Sequence, residues 1–186
     1  MRNYGTYQNL RNSAGHCLWD YGADSIPVDV LKIARKAEIR VIKNSSVDIL
    51  LPRENGRSYF DGCRWYIIYD DTATIERARF TLAHELGHIL LGHELQYAKY
   101  GHTRQIRPNP ISEQQADRFA VRLLCPAFAL WEKKLYTAEE ISRACRVEIN
   151  IAAEREKRMK TLLKRDRFLS DPLEKQLYER FFGNKS

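Results

Sequence analysis

Several features are scarce in this chain of 186 residues, and each scarcity excludes a class of protein. No run of about 18 apolar residues occurs, so we expect no membrane-spanning helix. The opening segment, MRNYGTYQNLRNSAGHCLWDYG, lacks the apolar centre of a signal peptide. The chain also has no internal repeat and no low-complexity tract. We therefore expect a globular, cytoplasmic protein.

Cysteine is scarce too, with four copies and no C-x-x-C pair. The wide scatter argues against a cysteine-rich zinc site and against a disulfide framework. In the cytosol we expect reduced thiols that pack as small hydrophobic groups. They are Cys17, Cys63, Cys125 and Cys145.

The composition is typical of a globular protein, with 44% hydrophobic and 30% charged residues. The length suits one domain with a small appendage. We predict a domain over residues 1–130, whose first 25 residues are hard to interpret, and a helical extension over residues 131–186. The net charge is +7, and much of it lies in REKRMKTLLKRDR, residues 155–167. Such a run is typical of nucleic-acid contacts or, as we favour here, of a solvated helix face.

The apolar pattern predicts a small sheet among helices. IPVDVLKIARKAEI is typical of a helix with Pro27 at its first position. IRVIK and VDILL are predicted strands, and CRWYIIY, residues 63–69, is the strongest strand candidate. PRENGRSYFDG, between them, carries turn signals. We expect an α+β fold whose small, mostly antiparallel sheet packs beside a helix pair.

Two helices dominate the middle of the chain. The first extends from about Ile75 to Leu91, is apolar on nearly every face, and ends at Gly92, so we expect it to be buried. The second begins at Ser112, which is predicted to form a capping box with Gln115, and ends before Pro126. The remaining chain is helical by pattern.

The first of these helices contains the segment His84-Glu85-Leu86-Gly87-His88. Residues four apart share one helix face, so both imidazoles can converge on one metal ion. Zinc accepts neutral imidazole nitrogen in a tetrahedral shell, and a catalytic site keeps one position for water. Glu85 lies about 100° around the helix, where it can act as general base on that water. The alternative is a pair of core histidines, whose burial without partners costs about 1–3 kcal/mol each.

A third metal ligand has three candidates. His93 follows His88 by five residues and faces another way unless the helix breaks at Gly92. His102 lies in a predicted loop without supporting context. The longer metzincin pattern fails, because it requires Gly at position 91 and His at position 94, where this chain has Leu and Glu.

Glu113 is the best third candidate, because it lies in the first turn of the second helix with Asp117 one turn later. The arrangement is similar to that of gluzincin peptidases, and two histidines with one glutamate match the ligand set of thermolysin-like hydrolases. Asp117 can accept the second ring N–H of a ligating histidine. The alternatives are a glutamate that favours the helix dipole and an exposed aspartate.

Three segments together resemble the ImmA/IrrE family of metallopeptidases. They are PVDVLKIARKAEIRV, RARFTLAHELGHILLGH and EQQADRFAVRLLCP, in that order over residues 27–126. The resemblance implies Zn²⁺ bound by His84, His88 and Glu113, with Glu85 as general base. It also implies a protein substrate, a helix-turn-helix repressor of a phage, a mobile element or a stress regulon.

Two further parts of an active site remain open. The tetrahedral oxyanion needs a donor besides the metal, and the candidates are His93, Tyr97, Tyr100 and His102. The substrate is expected to add a β-strand along CRWYIIY if that strand is the sheet edge at the site; the alternative is an ordinary core strand. The residues of that predicted substrate strand are Cys63, Arg64, Trp65, Tyr66, Ile67, Ile68 and Tyr69.

Residues 137–160 have a pattern typical of a helix-turn-helix, with a turn near Val147. Direct nucleic-acid contacts would come from Asn150, Arg155, Lys157 and Arg158. We favour a helical pair packed on the catalytic domain instead, partly because the turn lacks glycine. Two hypotheses follow for the whole chain: a zinc metallo-endopeptidase, or a non-catalytic regulatory protein that binds DNA or a transcription factor and holds a structural metal.

Overall fold

The computed structural model describes residues 10–93, 109–166 and 168–183. The helices in this part of the chain are α1 (Leu10–Asp20), α2 (Val30–Lys36), α3 (Ile75–Leu91), α4 (Pro110–Leu124), α5 (Ala127–Glu132), α6 (Ala138–Cys145), α7 (Ile149–Arg165) and α8 (Pro172–Phe182). The strands are β1 (Arg40–Lys43), β2 (Gly56–Phe60) and β3 (Trp65–Tyr69). None of these helices is both long and apolar enough to cross a membrane.

The three strands form one mixed sheet in the order β1-β3-β2. β2 and β3 are antiparallel, with Ser58 opposite Ile67, while β1 and β3 are parallel, with Val41 opposite Ile67. The predicted α+β class is therefore confirmed, with one antiparallel and one parallel pair. After β1 the chain crosses to the other side of the position that β3 later fills, so β1 and β2 lie on opposite sides of β3.

The sheet corrects two predictions about its strands. The turn-rich segment contains β2: GRSYF lies between the turn at Pro52-Arg53 and the bend at Gly62-Cys63, and pairing with β3 stabilises it. VDILL is a loop, in which Asp48 has φ 50° and the Asn44 side chain accepts hydrogen bonds from the backbone of Ile49 and Leu50. Those local side-chain bonds replace the ladder that a strand would need.

The predicted bounds of α3 are confirmed, and its ends have clear causes. Thr74 caps the first turn by accepting a hydrogen bond from the backbone of Arg77. Gly92 ends the helix with φ 70°, a left-handed conformation that favours glycine. From Thr81 onward almost every residue of α3 is buried between the sheet and α4.

The starts of α2 and α4 differ from the predicted ones. Pro27 follows a cis peptide bond and precedes α2, whose cap is Asp29, bound to the backbone of Lys32. In α4 the cap is Asn109 and Pro110 holds the first position, so Ser112 is already inside the helix. Proline suits that first position because it needs no hydrogen-bond donor there.

α3 and α4 pack at unusually close range around Gly87. A Cβ atom added at Gly87 would lie 3.1 Å from a ring carbon of Phe119 and 3.2 Å from Cα of Ala116. Phe119 and Ala116 are fully buried in this contact. The lack of a side chain at Gly87 therefore allows the backbone of α4 to approach the turn of α3 that carries His84 and His88.

The C-terminal helices pack on the rest of the protein. Arg79 of α3 donates hydrogen bonds to the carbonyls of Val28, Cys145 and Arg146, which ties α3 to the end of α6. Thr137 and Glu140 form a reciprocal capping box at the start of α6. α8 packs against α1 and α5.

Gly87→Ala is expected to lower the free energy of unfolding by about 1–3 kcal/mol, because the added methyl group overpacks the contact with α4. Without that contact the same change would stabilise the helix by about 0.5–1 kcal/mol. Urea unfolding measures the difference. Ala78→Gly, nearer the start of α3, reports helix propensity alone. A Gly87→Ala variant as stable as the parent would contradict the role given to this contact.

Candidate metal and peptidase site

His84, His88 and Glu113 converge on one point between α3 and α4. The two Nε2 atoms lie 3.0 Å apart. Each is 3.3 Å from a carboxylate oxygen of Glu113. The three side chains thus offer two nitrogens and one carboxylate to a single position, and they form a group able to hold a metal ion.

The spacing of these atoms fits a tetrahedral ion. Ligand atoms at about 2.0–2.1 Å from zinc at tetrahedral angles are separated from one another by roughly 3.3 Å. The separation of the two nitrogens, 3.0 Å, and the 3.3 Å from each nitrogen to its nearer oxygen of the Glu113 carboxylate lie close to that edge length. The donor set therefore fits a tetrahedral metal with three protein ligands, which leaves a fourth position for another molecule.

Asp117 orients the ring of His84. Its Oδ1 lies 2.8 Å from Nδ1 of His84, so the ring donates its Nδ1 proton to the carboxylate and turns Nε2 toward Glu113. Burial alone lowers the pKa of His84, but the hydrogen bonds with Asp117 and Glu113 outweigh burial and raise that pKa to about 9. A metal at Nε2 would therefore replace a firmly held proton.

His88 is oriented by a different chain of hydrogen bonds. Its Nδ1 lies 3.1 Å from Nδ1 of His93, whose Nε2 lies 3.0 Å from the side-chain oxygen of Gln115. One consistent proton assignment has His88 donating to His93 and His93 donating to Gln115, which leaves Nε2 of His88 as an acceptor. Burial, together with the charge of His84, lowers the pKa of His88 to about 4. His88 is thus held neutral, the form that binds metals.

Glu85 is buried beside the same turn and accepts a hydrogen bond of 2.6 Å from the Ser58 hydroxyl of β2. Burial raises the pKa of Glu85, and the bond from Ser58 offsets part of that rise. The opposite effect occurs at Glu113, where the hydrogen bond with His84 lowers the pKa. The two carboxyl groups therefore differ in proton affinity, as a base and a ligand should.

Of the four residues predicted as oxyanion donors, the structure describes one, His93. His93 lies behind His88, against the ring nitrogen that faces away from Glu113, and both of its own nitrogens have partners. It is thus placed to orient His88, and its contact with an oxyanion stays a prediction. Tyr97, Tyr100 and His102 lie outside the described residues.

The predicted substrate strand is corrected by the sheet order. β3 lies in the centre of the sheet and is not the edge to which a substrate strand could add. Tyr66, Ile67, Ile68 and Tyr69 pair with both β1 and β2, and Trp65 pairs with β2. Cys63 and Arg64 belong to the hairpin loop before β3, where their backbone N–H groups bind Asp61. The edge strand next to α3 is β2.

The residues predicted to contact nucleic acid differ in their exposure to solvent. Arg155 is only 6% exposed, so its prediction as a contact to DNA bases is wrong. Asn150, Lys157 and Arg158 are exposed on α7, and their contact with nucleic acid stays a prediction. The turn between α6 and α7 needs no glycine, because Arg146 adopts the left-handed conformation with φ 52°.

Two residues of this site were missed by sequence reasoning. Ser58 lies 27 positions before Glu85, inside a segment with turn signals, and nothing local marks it. Gln115 was assigned to a capping box, whereas its side chain holds His93. Residues two apart on a helix point about 200° apart, so the spacing of Gln115 from Glu113 gave no signal of a shared site.

One transition-metal ion per chain is expected, bound by His84, His88 and Glu113. His88→Ala and Glu113→Ala should abolish stoichiometric binding, whereas Asp117→Asn should keep the ion with an affinity about 10–100-fold lower. Elemental analysis and chelator competition measure both effects. Glu139→Ala, on the exposed surface of α6, is the matched control. Full metal content in His88→Ala would show that the ion binds elsewhere.

Comparison with known proteins agrees with this geometry. The family model described as IrrE N-terminal-like domain, peptidase family M78, matches residues 34–157. None of the curated proteins matches the chain. The matched region contains α3 and α4 complete, with every residue of the site described above, and supports a peptidase that uses a metal ion. The chain therefore belongs to the ImmA/IrrE family of peptidases.

Proposed function

We propose that the protein is a zinc-dependent endopeptidase. The observation that carries the proposal is the convergence of His84 Nε2, His88 Nε2 and the Glu113 carboxylate. Their separations are 3.0 Å between the nitrogens and 3.3 Å from each nitrogen to one carboxylate oxygen, close to the edge of a tetrahedral zinc shell. Two imidazoles and one carboxylate are the ligand set of hydrolytic zinc sites, and the remaining position is open. Cysteine-based structural zinc sites have no counterpart among these ligands.

Glu85 is the residue that distinguishes catalysis from mere metal storage. It follows His84 directly yet binds Ser58 rather than the ligand group, so its carboxylate remains available beside the open position. When bound, the ion supplies Lewis acidity, which polarises the scissile carbonyl and acidifies water. Glu85 accepts the proton of the attacking water and delivers it to the leaving nitrogen.

Ser58 positions Glu85 for that proton transfer. Its hydroxyl holds one carboxylate oxygen at 2.6 Å and leaves the other for water. The surrounding burial raises the pKa of Glu85, which brings its basicity nearer to neutral pH. The role of Ser58 is to orient the base, and Glu85 itself is the catalytic residue.

We place the substrate along the edge strand β2. Within the described residues β2 pairs with β3 alone, so its outer edge has no strand partner. β2 also reaches the base, since Ser58 binds Glu85 and a Cβ at Gly56 would contact Thr81 and approach Glu85. An extended peptide paired with this edge would present its backbone to the metal position.

The substrate class is proposed from the family. ImmA/IrrE peptidases cleave regulatory proteins, so the proposed substrate is a DNA-binding repressor with a helix-turn-helix domain. A repressor encoded beside the gene of this protein is the one to purify first. Mass spectrometry of the products identifies the cut site.

Glu85→Gln is expected to lower the cleavage rate at least about 100-fold, because it removes the general base. Metal content should be unchanged, since Glu85 is not a ligand. The assay follows cleavage of the repressor by the metal-loaded protein. Glu76→Gln, in the first turn of the same helix, is the matched control and should cleave normally.

The same variant separates the two hypotheses for the chain. A regulatory binding protein with a structural metal would control its partner equally well as Glu85→Gln. A peptidase would lose both cleavage and control. If the Glu85→Gln variant still controls the repressor without cleaving it, the hypothesis of a regulatory binding protein replaces that of an enzyme.

Proline substitutions test the position of the substrate. Neighbouring residues of a strand direct their N–H groups to opposite edges, so one of Tyr59→Pro and Phe60→Pro removes an outward N–H of β2. Proline is tolerated at such an edge position. The variant that retains its circular dichroism spectrum and its metal should lose cleavage. Cleavage at the parental rate by a folded, metal-loaded proline variant would exclude strand addition at β2.

A further inference from the structure

A second concentration of charge lies away from the metal site, in a cavity of about 170 Å³ among α1, α4, α7 and α8. We name it the arginine pocket, after Arg11, Arg122, Arg155 and Arg158 in its lining. Arg122 is in the last turn of α4, nine residues after Glu113, which corresponds to about 13 Å along the helix axis. The pocket and the metal site therefore occupy opposite ends of one helix.

Arg155 is the centre of the argument. It is 6% exposed, and its Nε makes no hydrogen bond with any residue that the structure describes. A buried guanidinium group without a partner is costly, and proteins normally pair such a charge with an acid or a ligand. The side chain lines the pocket, so a ligand in the pocket is within its reach.

The neighbouring arginines increase the excess of positive charge in the pocket. Burial lowers the pKa of Arg122 to about 10, and the positive charges of Arg155 and Arg158 add to that effect. Arg158 is exposed at the mouth of the pocket. Three guanidinium groups that repel one another in one cavity favour a partner with more than one negative charge.

The two acids of the pocket are already engaged. Asp171 caps α8 by accepting hydrogen bonds from the backbone of Leu173 and Glu174. Glu174 accepts from the Arg11 side chain at 2.7 Å and from the backbone of Leu169 at 2.9 Å. These acids are engaged with Arg11 and a helix end. Glu174 also attracts Arg155, and Glu154 attracts Arg122, but within the described residues neither arginine forms an ion pair, and nor does Arg158.

We propose that the arginine pocket binds a small phosphate monoester, with the phosphate held by Arg155, Arg158 and Arg122. A phosphate dianion matches the fork geometry of guanidinium groups and balances two positive charges, whereas a carboxylate balances one. The proposed ligand also carries an apolar group, because the lining includes Leu18, Leu162, Leu173 and Leu177. The site goes beyond the proposed peptidase activity and does not depend on it.

Calorimetric titration of the metal-loaded protein at constant ionic strength tests the proposal, with phenyl phosphate and inorganic phosphate as probes. Both should bind saturably, phenyl phosphate more tightly because its ring covers the leucine wall. Arg158→Gln, an exposed change, should weaken both by roughly tenfold or more. Arg143→Gln, on the exposed surface of α6, is the matched control and should bind as the parent does.

Arg155→Met provides a second and independent measurement. It should abolish phosphate binding and, in phosphate-free buffer, raise the melting temperature, because it removes a buried charge that forms no ion pair with the residues the structure describes. Metal content should not change, which separates this pocket from phosphate bound at the metal. A lower melting temperature with unchanged phosphate affinity would assign Arg155 a purely structural role and overturn the proposal.

Three other outcomes also overturn it. One is no saturable binding of either probe; another is equal binding to the parent and to Arg158→Gln. The third is binding of duplex DNA that neither phosphate displaces, which would assign Arg158 to a nucleic-acid surface instead. If phenyl phosphate displaces the duplex, and both arginine variants lose phosphate binding, the result would support phosphate binding in the arginine pocket.

Discussion

The close contact of α3 with α4 at Gly87 is the constraint on which the site depends. His84 and His88 come from one helix and Glu113 from the other, so the distance between their ligand atoms is set by the distance between two backbones. With Ala116 and Phe119 directly opposite Gly87, that distance has little freedom. The core of the protein therefore assembles the candidate metal site, because the packing that buries Phe119 also places a carboxylate 3.3 Å from two imidazoles.

Packing brings the ligands together, and hydrogen bonds select their protonation state. Asp117 and the His93-Gln115 pair occupy the Nδ1 atoms of the two ligand histidines, so both Nε2 atoms face the same position. Without these partners each imidazole ring could adopt either tautomer and could rotate by 180°. A metal ion alone would then have to fix the tautomer and the orientation of both rings. The two histidines of α3 thus have their Nδ1 atoms held by Asp117 and His93, while both Nε2 atoms face the carboxylate of Glu113.

How far the sequence predicts this protein depends on whether a feature is local. The bounds of α3, its cap and the convergence of His84 with His88 follow from residues within one helix turn of one another, and all are seen in the structure. β2 was missed because GRSYF becomes a strand through pairing with β3, while its flanking residues give only turn signals. The same holds for Ser58, whose importance lies in a contact across 27 positions, and for Arg155, whose charge suggests a surface that the packing of α7 hides.

The helix α4 connects the two charged regions of the molecule in a physically simple way. Acidic residues lie in its first two turns and a basic residue in its last, which is the distribution that the helix dipole favours. Glu113 and Asp117 accordingly form a place for a cation, and Arg122 contributes to a place for an anion. Each ligand binds only when α4 is folded against its neighbours, so each stabilises the same packed helix through the folding equilibrium. The two sites are thus linked through stability alone: each ligand raises the free energy of unfolding of the same helix packing, and neither changes the affinity of the folded protein for the other.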